Sequence, residues 1–317
     1  MFRPYFYCLS LAFQLSGCAV FATKHIGVVV PATHPAMRAI VAGLFERLPT
    51  QDYQITVQNA QGDAMLQQQI IQQMKMRRLD AILPIGTQNS LMTLAQIKDT
   101  PVVCVAAAFE TAQKAHPQQK VAVMNDEISS VSVLRFLKAC RPDIQIVGIL
   151  YGNSEKNVPD IESAKAFCKK HKLKLRLRKV DTLAEVHLNA ETLAKEVQVI
   201  IVLKDHLVVS GIASLIAAAQ KAGTLLFAMD DGSVSAGAPL GLGVLEKEIG
   251  RTAADVLQKM LLAPSSQKVH QMTMKKLHVF YNPKAFQAQS FLTFENLEKV
   301  AKEQNLHLTP ITKRETP

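Results

Sequence analysis

Short β-branched runs alternate with helix-length amphipathic stretches along most of this chain, and that alternation leaves few architectures open. Strands are expected at His25–Val30, Gln54–Gln58, Ala81–Ile85, Val102–Val105, Val121–Met124, Ile146–Leu150, Leu173–Val180, Val197–Leu203 and Leu225–Met229. Helical patterns fill the gaps at Pro35–Leu48, Ala64–Arg78, Ser90–Ile97, Ser129–Cys140, Ile161–His171, Leu183–Lys195 and Leu207–Ala222. Near-continuous apolar strands separated by helices are the pattern of a parallel sheet covered on both faces. Nine such strands are many for one short sheet. A second series opens near Ile146, after the extended turn Arg141-Pro142-Asp143, so the expectation is two sheets, one per lobe.

After Gly243 the pattern changes. A helix is expected at Glu246–Leu262, then a linker Ala263-Pro264-Ser265-Ser266, a strand Leu277–Tyr281 and a final helix Phe294–Glu303, with a disordered tail from Lys313. Several helix starts are marked: Thr33-His34-Pro35 puts proline at a first helical position, and Asp63 stands as a cap after the turn Gln61-Gly62. Gly86-Thr87-Gln88-Asn89 and Asp230-Asp231-Gly232-Ser233 also follow strands. These polar loops share the C-terminal edge of the strands, where open α/β sheets bind ligands and helix N-termini favour anions.

The N-terminus carries Arg3, an apolar stretch Tyr5–Phe13 and then Leu15-Ser16-Gly17-Cys18. A basic start, an apolar run and small residues before a cleavage point make a secretory leader. The cysteine after the small pair resembles the bacterial lipoprotein box, in which Cys18 is lipidated and becomes the new N-terminus. Residues 1–17 are therefore expected to leave, placing the protein in the cell envelope, lipid-anchored on the periplasmic face. The apolar run is shorter than the ~20 residues a membrane helix needs.

The formal charge is +10, falling to +9 if Arg3 leaves. The basic residues gather in Lys165–Lys179 and near Lys275-Lys276. Along Lys172–Val180 they alternate with apolar residues, the period of a strand with one wet face, and no aromatics interleave them. Nucleic acid is not an expected partner. Five cysteines occur, Cys8, Cys18, Cys104, Cys140 and Cys168. None has CxxC or CxxH spacing, so no metal site is expected, and the last three read as small buried hydrophobes.

The segments His25-Ile26-Gly27-Val28-Val29-Val30 with His34-Pro35, Gln58-Asn59-Ala60-Gln61-Gly62-Asp63 and Ile85-Gly86-Thr87-Gln88 carry a likeness. So do Val147–Tyr151 with Glu155 and Asn157, Phe227-Ala228-Met229-Asp230-Asp231 with Gly237 and Leu242-Gly243, and Gly250-Arg251-Thr252-Ala253. From about residue 25 to 286 the chain resembles the periplasmic substrate-binding proteins of ABC importers, in the family that includes tryptophan- and tyrosine-binding members. The resemblance implies a type I periplasmic-binding-protein fold: two Rossmann-like α/β lobes with parallel sheets, joined by three crossovers, with ligand held between them. It places lobe I at residues 25–123 and 244–270, lobe II at 124–243 and 271–290, and a C-terminal extension at 291–317. It implies a monomer that delivers a small-molecule ligand to ABC permease and ATPase subunits, with no cofactor and no catalysis.

Three departures bear on the ligand. Gly152-Asn153-Ser154 stands where the family has Asn-Pro-Gly, Ala106-Ala107-Ala108 where it has an Asp-Pro pair, and Lys204-Asp205-His206 where it has Thr-Asp-Asn. An amino-acid ligand presents a carboxylate and an ammonium. Thr87, Gln88 and Asn157 are candidates for the carboxylate. Asp205, Asp230 and Asp231 are candidates for the ammonium, although Lys204 beside Asp205 would neutralise it. Thr33 and His34 sit at the first turn as further candidates. Each has a plain structural alternative as a cap or turn residue. Two other functions remain open: an envelope ligand sensor without transport, and a thiol enzyme of the racemase kind built on Cys104. Neither GxGxxG after the first strand, nor GxSxG, nor a P-loop is present.

Overall fold

The computed structural model describes residues 23–108, 119–153, 157–262, 270–274 and 276–312. The leader with Cys8 and Cys18, Glu155, the 263–266 linker and the tail from Lys313 lie outside the described residues.

The first series runs β1 (Lys24–Val30), α1 (Pro35–Arg47), β2 (Tyr53–Asn59), α2 (Ala64–Met76), β3 (Ala81–Pro84), α3 (Thr87–Gln96), β4 (Val102–Cys104) and β5 (Val121–Asn125). The second runs α4 (Ser130–Cys140), β6 (Ile146–Gly152), α5 (Asn157–Lys170), β7 (Lys174–Val180), α6 (Leu183–Glu196), β8 (Val199–Val202), α7 (His206–Ser210), α8 (Ile212–Ala222), β9 (Leu225–Ala228), α9 (Asp231–Ala236) and β10 (Leu240–Gly243). The chain closes with α10 (Glu246–Leu262), β11 (His270–Thr273), β12 (His278–Tyr281), α11 (Pro283–Gln287), α12 (Phe294–Glu303) and β13 (His307–Pro310).

Two sheets result. One has the order β11-β5-β4-β3-β1-β2 and is parallel throughout; the other has the order β13-β12-β10-β9-β8-β6-β7 and is parallel except where β12 runs against β10. The chain passes between the sheets three times: after β5, after β10 and after β11. This is the two-lobed type I periplasmic-binding-protein architecture. The central strands are apolar along their buried lengths because both faces are covered. Ile26, Val28, Val29 and Val30 of β1 are all buried, as are all four residues of β8. At the sheet edge, β7 instead alternates exposed Lys174 and Arg176 with half-buried Leu175 and Leu177.

All nine strands of the alternating pattern form, with ends moved by at most two residues. The stretch expected as one helix over 207–222 is two, broken at Gly211, where a Cβ would meet Val186 Cγ1 at 2.5 Å. Helix α3 starts at Thr87 rather than Ser90, and α5 starts at Asn157 rather than Ile161. The late acidic loop continues into the short helix α9.

Helices α1 and α10 pack at backbone contact. A Cβ on Gly250 would lie 1.9 Å from the Ile40 carbonyl oxygen, and one on Gly43 would lie 2.1 Å from that of Lys247. Both helices begin at the interface between the lobes, so this close pair sets the relative position of their first turns.

Candidate functional site

The C-terminal strand edges of the two lobes meet around a small cavity of about 50 Å³. Its walls include His34, Gly86, Ala106 and Asp126 from the first series, Lys204, Asp205, His206 and Asp230 from the second, and Glu246 from the start of α10. Two wider clefts adjoin it. One, of about 620 Å³, is lined by Thr87, Gln88, Asn157 and Asp205; the other, of about 450 Å³, by Glu127, Ser129, Asn157 and Asp160. The lobes touch on either side of the cavity. A Cβ on Gly232 of α9 would be 2.4 Å from the Ala36 nitrogen, and one on Gly86 would be 2.9 Å from His206 Nε2.

His34 caps α1: its Nδ1 accepts from the Ala36 backbone N–H at 3.2 Å. A neutral ring that accepts at Nδ1 carries its proton on Nε2. Nε2 is buried with no hydrogen-bond partner among the described residues, on a residue only 5% exposed. Burial lowers the His34 pKa below 6.5, against the pull of Asp230; Arg38 adds to the lowering. The ring is therefore a neutral donor at the cavity wall.

Asp230 is committed to its own helix. Oδ1 accepts from the Ser233 N–H at 2.6 Å and Oδ2 from the Ser233 hydroxyl at 2.7 Å. Asp231 beside it is buried as the first residue of α9. Asp205 is committed more fully. Oδ1 accepts from the Leu207 and Val208 N–H groups at the start of α7, while Oδ2 accepts from the Gly152 N–H at 3.0 Å and from Asn157 Nδ2 at 2.5 Å. Asn157 Nδ2 also donates to the Gly152 carbonyl at 3.0 Å. Thr87 Oγ1 accepts from the Ala108 N–H at 3.1 Å, and its hydroxyl proton is left to donate. Gln88 is exposed in the same cleft. Thr33 is exposed and accepts from Asn59 Nδ2 at 2.9 Å. Thus His34, Asp205 and Asp230 gather at the cavity, and Thr87, Gln88 and Asn157 line the adjoining cleft. Thr33 and Asp231 are not among the residues lining either.

The expectation that Lys204 would neutralise Asp205 is corrected. Lys204 Nζ pairs with Asp126 Oδ2 and, at 2.9 Å, with Glu246 Oε1. The three side chains are 13%, 3% and 2% exposed, so the group is effectively out of water. It ties the segment leaving β5, the loop after β8 and the first residue of α10. Sequence reading missed Asp126 and Glu246 because nothing in their spacing brings them together; only the return crossover does. Burial opposes the lysine's charge, but Asp126 and Glu246 outweigh it and raise its pKa. Burial pushes Glu246 up to about 8 against the pull of Lys204, with Asp126, Asp231 and Asp230 adding to the rise.

A carboxyl whose folded pKa lies above its unfolded value contributes stability that is present below the unfolded pKa and lost as pH rises through the folded one. Glu246 should therefore make the protein less stable between pH 7 and 8.5, a window above His34 and below Lys204. Glu246→Gln is expected to flatten that decline. Melting midpoints of both proteins across the window check it; parallel curves would assign the pH dependence to other groups.

Ala106, where the family has its Asp-Pro pair, has φ +50°. A left-handed alanine costs about 1 kcal/mol and is here held at the cavity wall. Cys104, Cys140 and Cys168 are free and buried. Burial pushes Cys104 up to about 12 against a hydrogen bond from Ser90, Cys140 to about 12 and Cys168 to about 11. A nucleophilic cysteine needs the opposite shift.

Residues 25–305 match the family model described as ABC transporter substrate binding protein. An uncharacterized protein of Rickettsia prowazekii is 35% identical over 274 residues, covering 86% of this chain and 88% of that one. The tyrosine-binding protein of Clostridioides difficile is 23% identical over 298 residues, covering 89% and 86%. Among solved structures, an ABC domain from Streptococcus pneumonia in complex with L-Trp superposes with a TM-score of 0.73 at 21% identity, covering 84% of this chain and 94% of that one.

Proposed function

The chain belongs to the family of ABC transporter substrate-binding proteins, and from that premise we propose that it captures a small molecule of the amino-acid type, with an apolar or aromatic side group, between its lobes. It hands the ligand, as a monomer, to the permease and ATPase subunits of an importer. The observation that carries the reading is His34, which lines a cavity built from both lobes and whose buried Nε2 has no hydrogen-bond partner among the described residues. A buried donor without a partner is costly and is rare in a finished structure, so a ligand acceptor is its natural complement. The ligand class is supported by the tyrosine and L-Trp named for two relatives. Thr87, Gln88 and Asn157 line the neighbouring cleft and belong to the proposed site with His34, while Asp205 and Asp230 frame it, Asp231 follows Asp230 as the first residue of α9 and Thr33 fixes the first turn through Asn59. Lobe closure over the ligand would create the form the permease recognises.

A thermal-shift screen of aromatic and apolar amino acids and their close derivatives tests the class. A ligand at 100 times its Kd stabilises by about 2.7 kcal/mol. If a different metabolite class moves the midpoint and no member of this one does, the ligand assignment fails and the fold stands. Among the described residues no helix is long and apolar enough to cross a membrane. Attachment is proposed to come from lipid on Cys18, in the cell envelope. Labelled palmitate should enter the wild-type protein and not Cys18→Ser; equal labelling of both would remove the anchor.

A further inference from the structure

We propose that the ligand is held in two parts: its polar head in the enclosed cavity beside His34, and its apolar or aromatic side group in the wider cleft, between Leu91 and Met92 of α3 and Leu207 of α7. Those three side chains then set which side groups the protein accepts. This rests on the reading that the space between the lobes is the ligand site, and it assigns the part of that site that selects.

Size carries the first step. The enclosed cavity has about 50 Å³. Benzene occupies an engineered cavity of about 150 Å³, so a phenol or indole ring does not fit beside His34. His34 lines that cavity and neither cleft, so the group it meets has to sit there. A ligand that reaches His34 must therefore extend elsewhere. The cleft of about 620 Å³ is of the size that small-molecule pockets have, roughly 300 to 1,000 Å³. It shares Lys204, Asp205 and His206 with the cavity, whereas the cleft of about 450 Å³ shares Lys204 alone.

The wider cleft is also built to hold an apolar group. Thr87 and Leu91, and likewise Gln88 and Met92, stand four residues apart, so one face of α3 presents all four to the cleft. Leu207, from the other lobe, lines the same cleft. Leu91, Met92 and Leu207 are half-buried. Met92 and Leu207 pack against the cores of their own lobes, and Gln67 Nε2 donates to Met92 Sδ at 2.9 Å, so both are held from behind. Gln88, Asn153 and Asp181 line the same cleft and are exposed. Tyrosine and tryptophan have an apolar body with a polar tip, which suits an apolar wall in a polar surround.

The test is calorimetric titration of tyrosine and of tryptophan into wild type, Leu91→Ala, Leu207→Ala and Ile128→Ala, the last in the other cleft. A single methylene in an apolar pocket is worth about tenfold or more, so Leu91→Ala and Leu207→Ala should each weaken the tighter ligand at least about tenfold, while Ile128→Ala stays within about twofold of wild type. Melting curves of the ligand-free variants establish that each is folded. Should Leu91→Ala fail there, Leu207→Ala, on the other lobe, carries the test alone. Unchanged affinity in the folded cleft variants overturns the proposal and leaves the ligand class intact. A loss as large in Ile128→Ala also overturns it. If wild type binds no apolar or aromatic amino acid, the ligand class itself falls, and the side-group assignment with it.

Discussion

Asp205→Ala is expected to lower the melting midpoint by on the order of 10 °C, corresponding to about 3–5 kcal/mol. The side chain is 6% exposed, and its two oxygens accept from the Leu207, Val208 and Gly152 N–H groups and from Asn157 Nδ2. It is therefore the junction of three elements: the end of β6, the first residue of α5 and the start of α7. Truncation leaves buried donors unpaired, and each such group costs about 1–3 kcal/mol. Gly152 sharpens the effect, since a Cβ there would stand 2.9 Å from Asp205 Oδ1, so the strand end and the carboxylate are fitted to one another. Asp205→Asn keeps the shape and part of the acceptor capacity and should fall between wild type and alanine. Calorimetric melting beside ligand titration separates the roles. A normal midpoint with lost affinity would make Asp205 a ligand group after all.

The fold was largely legible because its strongest signals are local. Val28, Val29 and Val30 or Val199 through Val202 can only be strands buried on both faces, and Asp63, whose Oδ1 accepts from Met65 and Leu66 N–H, starts its helix as its position suggests. The elements that escaped are short or glycine-rich. β10 reads Leu-Gly-Leu-Gly, and its glycines are needed because a Cβ at Gly241 or Gly243 would meet the Ala228 or Met229 carbonyl oxygen at 2.9 Å. β11 and β13 are four-residue strands at sheet edges, where a partner strand and not an apolar period defines them.

The site was legible in place but not in chemistry. The strand-end rule brought His34, Thr87, Asn157, Asp205 and Asp230 to one edge, and they do line the cavity or its cleft. The rule says nothing of what each polar atom is bonded to. By position Asp205 and Asp230 are candidates for a ligand's ammonium, yet their oxygens accept hydrogen bonds within their own lobe. Sequence order sets Lys204 beside Asp205, whereas its partners are 78 residues before it in Asp126 and across the return crossover in Glu246. Long-range ion pairs leave no periodic trace, so a single sequence does not show them.

Gly250→Ala carries the second large effect, about 3 kcal/mol of lost stability, and its sign is the informative part. On an exposed helix the same change would stabilise by about 1 kcal/mol, because alanine is the better helix former. Here the new methyl would stand 1.9 Å from the Ile40 oxygen, 2.8 Å from the Ile40 carbonyl carbon and 3.0 Å from Gly43 Cα, all backbone. No rotamer relieves a Cβ, so α1 and α10 must separate, loosening the buried layer of Ile40, Leu44, Ile249, Ala253 and Leu257 between them. The displacement also reaches the cavity. His34 caps one helix and Glu246 begins the other, so parting the helices moves the unpartnered donor away from the group that holds Lys204. Ligand affinity should therefore weaken beyond what stability alone explains. Gly43→Ala enters the same crossing, and the double variant should cost less than the sum of the two singles, because helices already parted accommodate the second methyl. Denaturant titration of the three variants decides it: a stabilised Gly250→Ala, or strict additivity of the pair, would mean that the helices do not meet at these glycines.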